Sequence, residues 1–363
     1  LYPDVTKVKE KEFRAPFEIK AKALYHKLPI AFQMMQEILT TSKLEDEKRL
    51  LEILSMTKSR LQMRFQSAGH VTAASRALSY TSPLSKFKDL TNGIGYYEVV
   101  KRIEEQFETE KDALIAHLKK LVKQLFRADN MMVSFTATKE GLTGLEEEIV
   151  SLKKGLFTGI AEQTPCIIHC EKRNEGFQTS SKVQYVARSG KFIDAGFDYT
   201  GAFQILKVIL GYEYLWQNVR VKGGAYGCMS NFSRLGEGYF MSYRDPNLEK
   251  TNAIYEEIPE YLRNFTVSER DMTKYIIGTI SNIDQPMTPA TKGDRSMNLY
   301  MNRVTADMIR EERNQILDAS EQDIRALADI VQAVLKDNLF CVIGSEEKIE
   351  EQKALFDEVK SLF

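Results

Sequence analysis

The chain has 363 residues, and its 50 Lys and Arg against 51 Asp and Glu leave a formal net charge of −1. A nearly neutral chain has no dominant single-sign field, which disfavours wholesale binding to nucleic acid or to an anionic membrane. With 43% hydrophobic and 28% charged residues, the composition is typical of a globular protein, and the length predicts about two domains.

The opening segment, LYPDVTKVKEKEFR, has neither a secretory signal pattern nor an initiator Met, so we expect the chain to derive from a longer protein. Its most apolar stretch, 202–216, contains Lys207 and Glu213 and is too interrupted for a membrane-spanning helix. Four cysteines are too few for a disulfide framework, which predicts free thiols in a reducing compartment.

An internal repeat organises the chain. Residues 337–363 resemble residues 129–157, because both begin with Asp-Asn, continue through a short apolar strand and a polar turn, and end in an amphipathic helix that closes on Leu-Phe. Upstream, two predicted helices repeat one apolar face at a constant offset. The matching pairs are Ile115 with Ile324, Leu118 with Leu327, Leu121 with Ile330, Val122 with Val331, and Leu125 with Val334.

The repeat predicts two homologous domains. The first, 1–157, lacks its leading strands, and the second, 158–363, is complete. Within the second, alternation of apolar and polar residues and the turn signals predict strands and then helices. The predicted strands cover 166–170, 181–187, 219–222, 225–232 and 239–244, and the predicted helices cover 202–216, 248–264 and, with interruptions, 268–333. This order predicts an α+β fold in which each domain has a mostly antiparallel sheet with helices packed on one face.

The segment Cys166-Ile-Ile-His169-Cys170 has the residue types of a metal site but not its geometry. On the predicted strand, Cys166 and Cys170 share a face about 13 Å apart and His169 points the other way, so the segment cannot chelate one ion by itself. We expect a buried strand there instead. Neither HxxEH nor HExxH occurs in the sequence, so we predict that no metal is bound by this chain.

The most informative stretch is QNVRVKGGAYGC, which runs from Gln217 to Cys228. Gly223 and Gly224 permit a bend and the close approach of another backbone, with Arg220 and Tyr226 on either side. A guanidinium and a phenol together suit the holding of a peptide carbonyl, or of the oxyanion that it becomes. By spacing alone, however, a turn beside a solvated arginine is the more common structure.

A family resemblance adds to this interpretation. VRVKGGAYG, with YTGAFQILKVILGYEYLW before it and GYFMSYRDPN after it, resembles the C-terminal half of the pitrilysin/insulinase-type zinc metallopeptidases, in the branch of the presequence protease and falcilysin. The segments QSAGHVTAASRALSYTS and GIGYYEVVKRIEEQF resemble the third of the four homologous domains of that branch. The similarity extends over nearly the whole chain.

The resemblance implies a protease of two halves that enclose a chamber for peptides and small unfolded proteins. It implies that zinc is held in the absent N-terminal half by an inverted HxxEH motif and a downstream Glu. It also implies that Arg220 and Tyr226 contact the substrate carbonyl, with Gly223, Gly224 and Ala225 as the backbone that substrate approaches. The chain's partner is then its own N-terminal half, and the isolated chain is expected to be inactive.

Two other functions fit the same residues. One is a non-catalytic scaffold subunit of the same fold, which has no physical need for the Arg220 and Tyr226 pair. The other is a module that captures extended peptides by strand addition, which requires an exposed sheet edge. For the compartment, we expect the cytoplasm if the protein is bacterial, and the mitochondrial matrix or another organelle if it is eukaryotic.

Overall fold

A computed structural model describes residues 1–7, 13–159 and 167–363. The part up to residue 159 is mainly helical, and its helices are short to medium in length. They are α1 (Leu28–Thr41), α2 (Glu47–Ser67), α3 (Gly69–Leu78), α4 (Pro83–Asn92), α5 (Ile94–Glu105), α6 (Phe107–Leu125) and α7 (Leu145–Gly155). Two strands of two residues each, β1 (Tyr2–Pro3) and β2 (Phe13–Arg14), pair antiparallel near the start.

The part from residue 167 onward combines strands and helices. Its strands are β3 (Glu175–Thr179), β4 (Tyr185–Lys191), β5 (Gly227–Phe232), β6 (Glu237–Tyr243), β7 (Leu339–Ser345) and β8 (Glu358–Ser361). Its α-helices are α8 (Ala202–Tyr212), α9 (Glu249–Glu256), α10 (Ile258–Arg263), α11 (Glu269–Ile283), α12 (Pro289–Met301), α13 (Ala306–Leu317), α14 (Glu321–Leu335) and α15 (Glu346–Glu351).

Among the described residues, one sheet of six strands has the order β5-β6-β4-β7-β3-β8. The pairs from β5 to β7 are antiparallel, and β3 lies parallel to both β7 and β8. The hairpin of β5 and β6 matches the sequence prediction, with Gly236 in a left-handed conformation in its turn. On β4, Ala187 lies opposite Met241 of β6 and Cys341 of β7.

Helices cover both faces of this sheet. On one face, α8, α10 and α14 bury a large apolar core that includes Val186, Phe240 and Val342. On the other face, small residues of α3 such as Ala73 and Ala77 pack against the sheet. The α+β class is therefore confirmed, and the prediction of helices on one face only is corrected. The second layer comes from the helical part of the chain, because α3 has small enough side chains to lie close to the strands.

A buried ion-pair network fixes α3 to the sheet. Arg76 of α3 donates to Glu175 of β3 through Nε, at 2.6 Å, and through Nη2, at 2.9 Å, and to Asp89 of α4 through Nη1, at 2.6 Å. The hydroxyl of Tyr80 also donates to Glu175. Burial raises the pKa of Glu175, but the bonds from Arg76 outweigh it and lower that pKa to about 2. Arg76 therefore faces a charged carboxylate, and the helical layer is joined to the sheet by a paired charge.

The first repeat differs from its prediction. Residues 131–138, which include the predicted apolar strand, have no regular secondary structure, and in the described part of the chain the short β1–β2 pair is the only pairing of strands before β3. The apolar face of α6 is half-buried to exposed, whereas the matching face of α14 is largely buried. The division into domains at 157/158 stays a prediction.

Other predicted elements of the second repeat also shift. Cys166 lies outside the described residues, and 167–170 form no strand, with the Ile167 side chain 76% exposed. The first sheet strand begins at Glu175 instead, because Phe177 and its neighbours carry the buried positions. The predicted helix 248–264 is divided into α9 and α10, which meet at Glu257 just before Pro259. Within the described ranges, no helix has the length and apolar character needed to cross a membrane.

Candidate functional site

The segment between α8 and β5 carries the predicted contact residues. It was predicted to be extended over 219–222, which is wrong, since Trp216–Val221 form a π-helix. The alternation Val219-Arg220-Val221 resembles a strand, but Val219 is fully buried against the core and Val221 is exposed. A wide turn in which the amide of Lys222 donates to the carbonyl of Gln217, at 2.9 Å, continues this helix. Such wide turns are frequent at functional sites.

Arg220 lies between two aromatic rings. Its guanidinium carbon is 4.0 Å from the ring centroid of Trp216 and 5.8 Å from that of Tyr226. Cation–π attraction orients the group without using its N–H donors. In the described part of the chain, the Arg220 side chain forms neither an ion pair nor a hydrogen bond. Its donors are therefore available to an external acceptor.

Tyr226 presents its hydroxyl to solvent. The side chain is 66% exposed, and its backbone N–H donates to the carbonyls of Tyr243, at 3.0 Å, and Arg244, at 3.3 Å. Its ring contacts that of Tyr243 with centroids 5.8 Å apart. The backbone is thus fixed to the end of β6 while the phenol projects outward. The structure brings Arg220 and Tyr226 together on one surface, as the spacing predicted.

Gly223, Gly224 and Ala225 form the turn between these two residues. A Cβ at Gly223 would lie 2.4 Å from the carbonyl oxygen of Val219, so the position has no room for a side chain. Gly224 has a φ of +82° and donates its N–H to the carbonyl of Arg220, at 2.8 Å, which ends the π-helix. Ala225 is buried, with its N–H bonded to the carbonyl of Val219. Its side chain therefore belongs to the core.

A residue of the helical layer joins this surface. The ring of His70, in α3, contacts Tyr243 edge-on with centroids 4.7 Å apart. Burial lowers the pKa of His70, and its Nδ1 atom is buried with no hydrogen-bond partner among the described residues. We conclude that His70 is a neutral ring that supports Tyr243 from below, which links α3 to the site.

Cys228 lies near the same surface at the start of β5. It is half-buried, and burial raises the pKa of its thiol to about 11 despite the nearby positive charge of Arg220. A thiol with a raised pKa is protonated at neutral pH and is a poor nucleophile. Cysteine chemistry is therefore disfavoured at this site.

Three contributing residues were not singled out from the sequence. Trp216 and Tyr243 provide aromatic faces, and Asn247 donates from Nδ2 to the carbonyl of Gly223 at 2.6 Å. The signal for Trp216 was present, because it stands four residues before Arg220 and such residues share a helix face. It was overlooked because 219–222 was predicted to be extended.

The described residues do not supply a metal site. Across residues 1–7, 13–159 and 167–363, no three or more His, Cys, Asp and Glu side chains converge as a metal ion requires. A zinc-binding set is therefore not found among them, and the chemistry of this surface is that of hydrogen-bond donors and aromatic rings.

Two family models match the chain. The model described as the PreP C-terminal domain covers residues 174–346, and the one described as associated with peptidase family M16, subfamily C, covers residues 2–103. The first match contains the whole segment from Trp216 to Asn247, and the second contains α3 with His70 and Arg76.

Similar curated proteins are longer than this chain. Protein HypA of Clostridium perfringens is 37% identical over 98% of the chain and 36% of its own length. Presequence protease 1, chloroplastic/mitochondrial, of Arabidopsis thaliana is 26% identical over 99% of the chain and 34% of its own length. The chain thus spans about a third of the length of these relatives.

Solved structures share the fold. A crystal structure of pitrilysin superposes with a TM-score of 0.59 at 13% identity, covering 87% of this chain and 33% of pitrilysin. The peptidase M16 inactive domain from Pseudomonas fluorescens gives a TM-score of 0.51 at 12% identity, covering 86% of this chain and 73% of that domain. Sequence and fold agree: the chain belongs to the presequence-protease branch of the pitrilysin-type, M16, peptidase family and corresponds to its C-terminal half.

Proposed function

We propose that the chain is the substrate-contacting half of a zinc-dependent endopeptidase that degrades peptides and small unfolded proteins in a closed chamber. In this proposal the zinc site belongs to an N-terminal half, and Arg220 and Tyr226 donate hydrogen bonds to the carbonyl of the bound peptide. The observation that carries the proposal is the state of the pair. Arg220 is held by two rings with its donors uncommitted, and Tyr226 is exposed beside it.

The chemistry of these donors fits the transition state of peptide hydrolysis. Charge develops on the carbonyl oxygen when the bond is attacked, and preorganised donors stabilise that charge more than they stabilise the ground state. The backbone at Gly223 and Gly224 leaves room for an extended peptide, because neither residue places a side chain over the turn. Ala225 contributes only backbone, since its methyl group is buried.

An exposed apolar surface supports the pairing with another half. On α1, the side chains of Ile30, Met34 and Ile38 are about half exposed and recur every four residues, which places them on one helix face. Met132 and Val133, in the segment predicted to be a strand, are also exposed. Contiguous exposed apolar surface of this kind typically marks an interface.

Peptide capture by strand addition is a second candidate function. Among the described residues β5 is an outer strand that pairs only with β6, and it begins directly after Tyr226. An extended peptide could add to its free edge. A non-catalytic scaffold is less well supported, because structural roles do not require a guanidinium with uncommitted donors.

The test is the kinetics of Arg220→Lys in the longer, zinc-loaded protein. The change keeps the charge but removes the planar fork of donors. We expect a fall in kcat of about tenfold or more with a smaller change in KM, measured on an unstructured peptide. Arg303→Lys is a control, because Arg303 stacks on Tyr300 in another part of the chain. A rise in KM at unchanged kcat would instead favour peptide capture.

A further inference from the structure

The turn that follows β6 is unusually well fixed. Asp245 is fully buried, and its carboxylate accepts hydrogen bonds from the Thr251 hydroxyl, at 2.7 Å, and from the Asn247 backbone N–H, at 2.9 Å. Its own backbone pairs with Gln184 in both directions, at 2.7 Å and 2.8 Å. Asp245 therefore fixes the place of Asn247 relative to the sheet.

This fixed turn contacts the glycine turn between the two proposed contact residues. The Nδ2 atom of Asn247 donates to the carbonyl of Gly223 at 2.6 Å. Pro246 Cγ lies 3.5 Å from the position that a Cβ on Gly224 would take. Two flexible glycines would otherwise leave the separation of Arg220 and Tyr226 free to vary. The contacts of Pro246 and Asn247 restrict that freedom.

The same stretch of chain also holds the far end of the segment. The N–H of Tyr226 is bonded to the carbonyls of Tyr243 and Arg244, and Arg244 has the left-handed φ of 49°. A non-glycine residue in that region costs free energy, so the surrounding bonds must impose it. Residues 243–247 thus contact both the turn at Gly223 and the backbone of Tyr226.

We propose that Asn247 is a positioning residue, which sets the geometry of Arg220 relative to Tyr226 through its bond to Gly223 and is itself held by Asp245. The inference rests on the proposed function of the pair. A displacement of about 1 Å in a contact group can cost about 10²-fold in rate, so one short hydrogen bond at a hinge of two glycines is enough to matter.

The test compares Asn247→Ala with Asn298→Ala. Asn298, on the exposed side of α12, also donates from Nδ2 to a backbone carbonyl, that of Asp294, at 2.7 Å. The two substitutions therefore remove similar bonds at different places. In the longer, zinc-loaded protein we expect kcat to fall about tenfold or more for Asn247→Ala with KM changed much less, and to stay at the wild-type value for Asn298→Ala.

A double variant distinguishes positioning from a general structural effect. If Asn247 acts through the pair, Asn247→Ala should lower kcat much less in a Tyr226→Phe background than in the wild type. Full additivity of the two losses would overturn the proposal. Asn247→Asp is a second variant that keeps the size of the side chain but replaces the Nδ2 donor, and it should lose as much activity as the alanine variant.

A measurement on this chain alone separates the positioning role from the proposed function. Trp216 is the single tryptophan, so its fluorescence reports on the ring that stacks on Arg220. We expect Asn247→Ala to change the emission maximum and acrylamide quenching, with an unchanged far-ultraviolet circular dichroism spectrum, and Asn298→Ala to change none of these. Wild-type emission for Asn247→Ala would overturn the positioning role. A normal kcat for Tyr226→Phe would overturn the proposed function even if the emission responds.

Discussion

The guanidinium of Arg220 stacks 4.0 Å from the ring centroid of Trp216, four residues earlier in the same π-helix. The ring occupies one face of the guanidinium, and the N–H donors at its edge remain unused in the described part of the chain. A flexible side chain is thus oriented before substrate arrives, which lowers the entropy that binding must overcome.

Removing the ring should therefore weaken catalysis without removing a donor. Trp216→Leu in the longer protein is expected to lower kcat/KM by about 2-fold to 30-fold, the equivalent of about 0.5–2 kcal/mol of cation–π attraction. Trp216→Phe keeps an aromatic face and should lose less. Peptide-cleavage kinetics of the two variants check this, and equal losses for both would show that stacking on Arg220 is not the cause.

Gly224 should not tolerate a side chain, for conformational reasons alone. Its φ is +82°, and a Cβ would meet only Pro246 Cγ, at the ordinary contact distance of 3.5 Å. We expect Gly224→Ala to lower the free energy of unfolding by about 1–2 kcal/mol, the cost of a left-handed residue with a Cβ. Urea denaturation of this chain measures the change.

Gly211 provides the matched control, since it lies in α8 and a Cβ there meets nothing within 4 Å. Alanine is a better helix former than glycine, so Gly211→Ala should raise the free energy of unfolding by about 0.5–1 kcal/mol. Opposite signs for the two glycines are the expected result. A neutral Gly224→Ala would mean that the turn relaxes without strain.

The buried network at Arg76 predicts a pH dependence of stability. Burial raises the pKa of Glu175, and the stronger effect of Arg76 lowers it to about 2, whereas an unfolded glutamate titrates near 4.3. A lowered pKa contributes stability above the unfolded value, and that contribution is lost as the pH falls toward 2. The free energy of unfolding should fall by roughly 3 kcal/mol from this group.

Glu175→Gln checks the assignment, because it removes the titrating group and leaves Arg76 with Asp89. At pH 7 we expect the variant to be less stable than the wild type by about 3–5 kcal/mol, and the difference should shrink at pH 3. Glu105→Gln, at an exposed position of α5, should match the wild type at both pH values. Denaturant titrations at the two pH values provide the data, and a constant difference for Glu175→Gln would exclude the linkage.

Much of the sheet could be predicted from local sequence. Alternation and turn residues predicted the β5–β6 hairpin, and the apolar run before Gly344 predicted β7. The docking of α3 could not be predicted, because its partners are distant in sequence. Arg76 and Glu175 are 99 residues apart, and a Cβ on Gly69 would lie 2.3 Å from the ring of Tyr185. Only the small residues of α3 hinted that it packs closely on something.

The candidate site was half visible in the sequence. Arg220, Tyr226 and the two glycines could be selected from residue types and resemblance. The π-helix was missed, because apolar alternation at 219–221 is compatible with a strand and nothing local reveals a wide helical turn. Asn247 was treated only as part of a turn after a proline, since its acceptor, the carbonyl of Gly223, lies 24 residues earlier.

Zinc should bind elsewhere than in this chain. Its described residues hold no converging set of His, Cys, Asp and Glu, and the sequence has no HxxEH motif. We predict that the isolated chain, freed of chelator, contains no stoichiometric zinc by elemental analysis and does not cleave an unstructured peptide. One zinc per chain that survives dialysis would contradict this prediction.

The most direct test of the central claim is the kcat of Tyr226→Phe in the longer, zinc-loaded protein. The change deletes one hydroxyl and keeps the ring against Tyr243. Loss of one preorganised donor to a developing oxyanion predicts a fall in kcat of about 10²–10³. Tyr212→Phe, at a position 71% exposed at the end of α8, should keep the wild-type value. Wild-type kcat and kcat/KM for Tyr226→Phe would show that the pair is structural, and would contradict the account.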